Sequence, residues 1–136
     1  MVDTLKAWHA LMHSRDPQAL QDLLAEDVVF HSPVVHTPQR GRAITALYLT
    51  GAMHTLNNAH FRYLREIVGD DEALLEFETE IDGVHINGID LMRWGLDGRI
   101  LDFKVMVRPL KAVNALHQAM GRMLQQLVPT TPGGNA

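Results

Sequence analysis

Residues 75 to 81 alternate between mostly apolar side chains and glutamates, and this pattern constrains the fold more than any other. The first set is Leu75, Phe77, Thr79 and Ile81, and the second is Glu76, Glu78 and Glu80. A period of two predicts a half-buried β-strand with an acidic outer face. The apolar face of such a strand must be covered, and the rest of the chain has to supply the cover.

Short turn sequences divide the second half of the chain into further strands. Gly69-Asp70-Asp71, Asp82-Gly83 and Asp97-Gly98 are typical of hairpin turns. The strands that they delimit are Phe61–Val68, Ala73–Ile81, Val84–Trp94 and Arg99–Arg108. An earlier short strand is predicted at Val28–Phe30, before Pro33.

Helical spacing and capping residues account for the remaining segments. A first helix carries Leu5, Trp8 and Met12, and Asp16-Pro17 caps and begins a second. A third spans Ala43–Leu56, and Pro109 opens a C-terminal helix. The apolar stripe predicted for this last helix is Leu110, Val113, Leu116, Met120, Leu124 and Leu127.

This order of elements predicts an α+β fold. A curved antiparallel sheet should form a cone-like half-barrel, covered by the three N-terminal helices, with the C-terminal helix closing it. A cone-shaped pocket is expected between the sheet and the helices. We expect one domain over residues 1–128 and a disordered tail over residues 129–136, whose composition is rich in Pro and Gly.

The amino-acid composition limits the kinds of functional site and partner that the protein can have. The 136 residues include eight histidines and no cysteine, which excludes disulfides, thiolate metal sites and cysteine nucleophiles. A net charge of −4 gives no basic footprint for nucleic acid or anionic lipid. The start of the chain lacks a signal-peptide pattern, so a cytoplasmic protein without membrane partners is expected. No nucleotide-binding or metalloprotease motif is found, and no cofactor or metal is predicted.

Three segments together resemble a known superfamily over roughly residues 2–128. They are "DPQALQDLLAEDVVFHSPVV" from Asp16, Gly41-Arg42-Ala43-Ile44, and "GIDLMRWGLDGRILDFKVMVRPL" from Gly88. The chain is similar to the SnoaL-like branch of the nuclear-transport-factor-2-like cone folds. That resemblance implies a fold shared by isomerases, cyclases, dehydratases, epoxide hydrolases and non-catalytic binding domains. It also implies a homodimer formed through the convex face of the sheet.

The functional residues of these relatives carry over only in part. Ketosteroid isomerases have a general-base aspartate before the proline that ends the first strand, where this chain has Ser32. Their first-helix tyrosine corresponds to Trp8, and their protonated aspartate corresponds to Asp90. The last-strand aspartate of SnoaL-like cyclases and limonene epoxide hydrolases corresponds to Val105.

Asp90 and His31 are the candidate catalytic residues. Asp90 shares the inward parity of its strand, and burial among aromatic residues should raise its pKa and let it donate to a ligand oxygen. A purely structural carboxyl that bonds Trp8 or a backbone N–H is the alternative. His31 adjoins the missing base at Ser32, although strand alternation points it away from the pocket.

The remaining predicted roles concern the pocket wall and the other histidines. The predicted ligand pocket consists of Trp8, Phe30, Ser32, Tyr48, Phe77, Met92, Phe103 and Val105. His9 and His13 share a helix face, but a surface pair is favoured over a metal site. His85 and Asn87 are expected on the outer face, at an interface. No role is assigned to His36, His54, His60 and His117.

Two functions remain open at this stage. One is a cofactor-free isomerase, cyclase or dehydratase acting on a small hydrophobic compound that carries oxygen. The other is a non-catalytic binding or accessory module that uses the same pocket, which the missing groups at Ser32 and Val105 favour.

Overall fold

The computed structural model describes residues 3–127, and the predicted tail at 129–136 lies outside them. The elements are α1 (Thr4–Ser14), α2 (Pro17–Leu23), β1 (Leu24–His31), β2 (Gln39–Arg40), α3 (Arg42–Leu56), β3 (Arg62–Val68), β4 (Glu72–Ile81), β5 (Val84–Trp94), β6 (Ile100–Arg108) and α4 (Leu110–Leu127). The α+β prediction, with three N-terminal helices and one C-terminal helix, is confirmed. No helix within residues 3–127 is long and apolar enough to cross a membrane.

Local signals define the first two helices. The Asp3 side chain accepts a bond of 3.0 Å from the backbone N–H of Lys6 and caps α1. Asp16 caps α2 in the same way, and Pro17 occupies its first turn, as the sequence predicts. Between them Arg15 adopts a left-handed conformation with φ of 56°, which ends α1.

The six strands form one curved, open sheet in the order β2-β1-β6-β5-β4-β3. The β1–β6 pair is parallel, so the prediction of a wholly antiparallel sheet is corrected at this position. The hairpins bring β6 back beside β1 in the same direction, because α3 carries the chain across to the far edge. The strand β2 could not be predicted from the sequence, since two residues are too few to show an alternating pattern.

The acidic outer face of β4 is confirmed and has its own counter-charges. Arg62 and Arg65 of β3 form ion pairs with Glu78 and Glu76, respectively. These side chains are neighbours across the antiparallel register, where opposite charges favour pairing. The two arginines therefore offset the charges of Glu76 and Glu78 on the outer face, while the inner side chains of β4 enter the core.

His85 and Asn87 lie on the same outer face of β5. The His85 Nε2 atom is 3.6 Å from Glu78 Oε2, and Asn87 accepts a bond of 2.9 Å from Arg108 Nε. Their predicted outward orientation is therefore confirmed for residues that the structure describes.

The buried side of α4 agrees with the predicted stripe at Leu116 and differs from it at Leu110. Leu110 is 74% exposed, whereas Ala112, Leu116 and Ala119 are buried. The two alanines allow the helix to lie close to the sheet, which a stripe of leucines would prevent. The helix also passes close to α3 at Gly51.

Gly88 of β5 leaves room for the ring that shapes the inner surface of the sheet. A Cβ atom at this position would lie 2.6 Å from Phe77 Cζ and 2.7 Å from the carbonyl oxygen of Met106. Gly88 and Phe77 are cross-strand partners, so the phenyl ring occupies the space that a side chain at residue 88 would take. Phe77 is thereby held flat against the sheet, beside the cavity described below.

Gly88→Ala should lower the free energy of unfolding by about 1–3 kcal/mol, because the added methyl overpacks against Phe77 and a fixed carbonyl. Urea denaturation of the wild-type and variant proteins measures this difference. Gly121→Ala is the matched control, since a Cβ there meets nothing within 4 Å in a helix interior. It should be neutral or stabilising; equal effects of both substitutions would contradict the assigned role of Gly88.

Candidate functional site

Two long-range hydrogen bonds hold α1 over the sheet. The hydroxyl of Thr4 donates to the carbonyl oxygen of Gly98 at 2.6 Å, and Asn57 Nδ2 donates to the carbonyl oxygen of Met12 at 2.7 Å. With both ends fixed, Trp8 faces inward, is 2% exposed, and packs on Phe103 with ring centroids 4.9 Å apart.

A chain of two hydrogen bonds joins α1, β3 and β5 inside the cone. The indole Nε1 of Trp8 donates to the hydroxyl of Tyr63 at 2.9 Å, and that hydroxyl donates to Asp90 Oδ2 at 2.9 Å. An indole N–H is a donor only, so Tyr63 accepts from Trp8 and has its proton free for Asp90. The donor-only indole of Trp8 therefore determines the direction of both hydrogen bonds.

Burial dominates the electrostatics of this chain. Asp90 is 7% exposed, and the loss of water raises its pKa to about 7, partly opposed by the hydrogen bond from Tyr63. Burial and the nearby charge of Asp90 also raise the pKa of Tyr63 well above its usual range. Tyr63 therefore stays protonated, while Asp90 exchanges its proton near neutral pH.

Two cavities meet beside Asp90. The smaller, of about 30 Å³, contains Asp90 in its wall, and the larger, of about 210 Å³, lies between the sheet, α3 and α4. Ala52, Leu56 and Val105 line both cavities. Val105 is also the direct cross-strand partner of Asp90, so the carboxyl lies next to the wall that separates the two spaces.

The structure divides the predicted pocket residues between the two cavities. The smaller one is lined by Trp8, Phe77, Phe103 and Val105, together with Asp90. The larger one is lined by Phe30, Ser32, Tyr48 and Val105. Met92 is 1% exposed in the core and lines neither cavity.

The two positions at which the resemblance implies acidic groups, Ser32 and Val105, are neutral here. Ser32 lines the larger cavity, and its oxygen accepts bonds from the N–H groups of Val34 and Val35, at 3.0 and 3.2 Å. Val105 is 5% exposed and contributes only apolar surface. Asp90 is thus the one carboxylate that lines these two cavities within residues 3–127.

His31 lies on the outer side of the sheet. Its Nε2 is 2.9 Å from Asp102 Oδ1, and it lines an open surface groove with His36, Lys104 and Met106. Because Phe30 faces inward, the alternation of β1 directs His31 away from both cavities. The geometry gives a catalytic role of His31 no support.

The described residues contain no group of three or more side chains suited to hold a metal ion. His9 forms an ion pair with Glu66 of β3, and its ring packs edge-on against Tyr63 at 5.4 Å. The favoured interpretation of His9 as a hydrogen-bonded surface residue agrees with this contact. The pair also adds a second link between α1 and β3, beside the hydrogen bond of Trp8.

Sequence analysis missed Tyr63, the central member of the hydrogen-bond chain. A partial signal was available, because Tyr63 lies within the predicted strand Phe61–Val68. What the sequence did not give was the strand register, which places the phenol within reach of Asp90 two strands away.

Comparisons with known proteins agree with this geometry. The SnoaL-like domain matches residues 5–103. A comparison with the curated proteins finds no match.

Among solved structures, a steroid delta-isomerase from Pseudomonas aeruginosa is 36% identical, with a TM-score of 0.85, over 91% of this chain and 90% of that one. An uncharacterised protein with a cystatin-like fold from Silicibacter pomeroyi is 31% identical, with a TM-score of 0.81, over 90% and 85% of the respective chains. The epoxide hydrolase/cyclase-like enzyme SalBIII shares the fold at 14% identity and a TM-score of 0.63, over 77% and 88%.

Asp90→Asn should become more stable than the wild type as the pH rises. The folded state holds the Asp90 proton up to a pH of about 7, whereas the unfolded chain releases it near about 4. The wild type therefore loses stability between these values and the variant does not. Urea denaturation should show the difference in unfolding free energy growing by about 2–4 kcal/mol across this window.

Tyr63→Phe provides the companion variant. The bond from Tyr63 is the contact that lowers the pKa of Asp90, so its loss should move the upper end of the window above 7. NMR titration of the Asp90 carboxyl carbon reports this pKa directly. A carboxyl that titrates near 4 in the wild type would refute the assignment.

Proposed function

Because the chain belongs to the SnoaL-like domain family, we propose that it binds a small, hydrophobic, oxygen-bearing molecule and transfers a proton to or from it without a cofactor. The binding site consists of the two neighbouring cavities, with the ligand oxygen at Asp90. The reaction class is an isomerisation, cyclisation or dehydration. The observation that carries the proposal is the buried Asp90 carboxyl in a cavity wall, hydrogen-bonded to Tyr63.

The hydrogen-bond chain assigns separate tasks to the two oxygens of Asp90. Oδ2 accepts from Tyr63, so the proton of the neutral carboxyl resides on Oδ1. Oδ1 can then donate to a ligand oxygen and stabilise the negative charge that develops on it. A pKa of about 7 keeps both protonation states populated at neutral pH, which suits a general acid.

The walls of the cavities specify an apolar ligand body. Nearly all the remaining lining side chains are aliphatic, aromatic or thioether groups, and no Lys or Arg of residues 3–127 lines either cavity. An anionic ligand would therefore lose its hydration without gaining a counter-charge. A neutral ketone or alcohol meets no such penalty.

Cavity size favours a compact ligand. The two volumes, about 210 and 30 Å³, together fall below the roughly 300 Å³ at which sites for drug-sized molecules begin. One or two rings fit this space more readily than four. A bicyclic ketone is accordingly a better first probe than a steroid.

The neutral residues at Ser32 and Val105 support a second candidate function. Acid–base catalysis commonly uses two groups with different pKa values, and both usual second positions lack one here. A non-catalytic module would bind the same ligands through Asp90 and release them unchanged.

The wild type should convert 3-cyclohexenone to its conjugated isomer, and Asp90→Asn should lower kcat/KM at least tenfold. Ultraviolet absorbance of the conjugated product follows the reaction, and thermal shift reports binding. 5-Androstene-3,17-dione serves as the larger comparison substrate. Binding of these ketones without any turnover would favour the non-catalytic module.

We further propose a homodimer that pairs the convex faces of two sheets. Leu64, Ile67 and Met106 project from this face and are 46%, 58% and 50% exposed. The apolar side chains that are exposed on one copy recur at the same places on the other, which suits a two-fold interface.

Light scattering at micromolar concentration should give twice the chain mass of 15.2 kDa. Met106→Glu should convert the dimer to a monomer, because it buries an unpaired charge in the interface. Leu96→Glu, in the exposed turn between β5 and β6, should remain dimeric. A wild-type monomer would contradict the proposed interface.

A further inference from the structure

We propose that His117 of α4 is the general base that works with Asp90 in the reaction of this site. The inference rests on the proposed function, because it assigns the second of the two groups that proton transfer requires. His117 lines the larger cavity, where α4 forms the wall opposite the sheet.

Few titratable side chains of residues 3–127 line the two cavities. Within residues 3–127, the titratable side chains that line the two cavities are Asp90, Tyr48 and His117. A neutral imidazole offers a ring nitrogen that accepts a proton, whereas a phenol is chiefly a donor. His117 is therefore the one partner in these walls suited to accept a proton while Asp90 supplies another.

Val105 and Leu116 relate the position of His117 to that of Asp90. Val105 is the cross-strand partner of Asp90 and lines both cavities. Leu116, 2% exposed, seats α4 on the core and lines the larger cavity next to His117. A ligand with its oxygen at Asp90 extends past Val105 into the space that His117 borders.

His117 and Asp90 differ in their exposure to solvent. His117 is on the solvent-facing side of the cavity rim, whereas Asp90 is buried. An imidazole at the rim can return its proton to water after each cycle. The buried carboxyl of Asp90 and the solvent-exposed imidazole of His117 thus have environments suited to donating and to accepting a proton, respectively.

The step balances with these two groups alone. A neutral imidazole nitrogen of His117 takes a proton from a carbon of the bound ketone, and the released electron pair forms a carbon–carbon double bond. The carbonyl electron pair moves to oxygen, which takes the proton of Asp90 Oδ1. The products are an enol, the Asp90 carboxylate and a protonated His117. Reversal with a proton from water regenerates the ketone and both groups.

Deuterium exchange into 2-tetralone tests the assignment without knowledge of the natural substrate. In heavy water the wild-type protein should catalyse exchange at the carbons beside the carbonyl, as measured by proton NMR. His117→Ala should slow this exchange about 100-fold, the contribution typical of a general base, and bind 2-tetralone as tightly as the wild type. His54→Ala, an exposed histidine on α3 that lines neither cavity, should exchange at the wild-type rate.

Rescue distinguishes a base from a structural residue. Imidazole added to the solution should restore exchange in His117→Ala, because the vacated rim is open to solvent. Exchange by His117→Ala at the wild-type rate would overturn the inference. If Asp90→Asn slows exchange in that case, the proposed function survives and only the assignment of His117 fails. If the wild type binds 2-tetralone and catalyses no exchange, both proposals fall and the non-catalytic module stands.

Discussion

A carboxyl group buried with a single neutral donor determines the organisation of the site. Asp90 has lost its water, and the hydroxyl of Tyr63 is the hydrogen-bond partner that the described residues provide. Because no cation among residues 3–127 lies beside the carboxyl, its neutral form is favoured until the pH reaches about 7. The contacts that hold α1, from Thr4 and Asn57, serve this arrangement because they bring Trp8 to Tyr63.

The sheet provides the space that the carboxyl faces. Gly88 lets Phe77 lie flat on the inner surface, and Val105 stands between the small cavity and the large one. Both features come from the inner face of neighbouring strands, where each side chain is fixed by its cross-strand partner. Helix α4 completes the enclosure from the other side, and its alanines allow it to lie close.

Much of the fold could be predicted from periodicity and turn residues. The alternation around Phe77 and the Asp82-Gly83 turn specify β4, β5 and their pairing, because a half-buried hairpin has few other solutions. The parallel β1–β6 pair could not be predicted in this way, since it depends on how distant segments meet. Leu110 was misplaced because an amphipathic stripe does not reveal which neighbours are small enough for close packing.

The site was predictable to the extent that strand parity governs it. Parity placed Asp90 inward and His31 outward, and burial then explains the pKa of Asp90. The place of Tyr63 in the site could not be predicted because it depends on register across three strands. The position of His117 in the cavity wall could not be predicted because it depends on how α4 packs.

The donor-only indole at the head of the hydrogen-bond chain has one more consequence. A proton that reaches Tyr63 cannot continue to Trp8, because the indole nitrogen has no lone pair available to receive it. The two linked hydrogen bonds therefore cannot conduct a proton beyond Tyr63. With the route through Trp8 closed, the cavity that Asp90 borders is the space through which its proton can exchange, and a molecule in that cavity would slow the exchange.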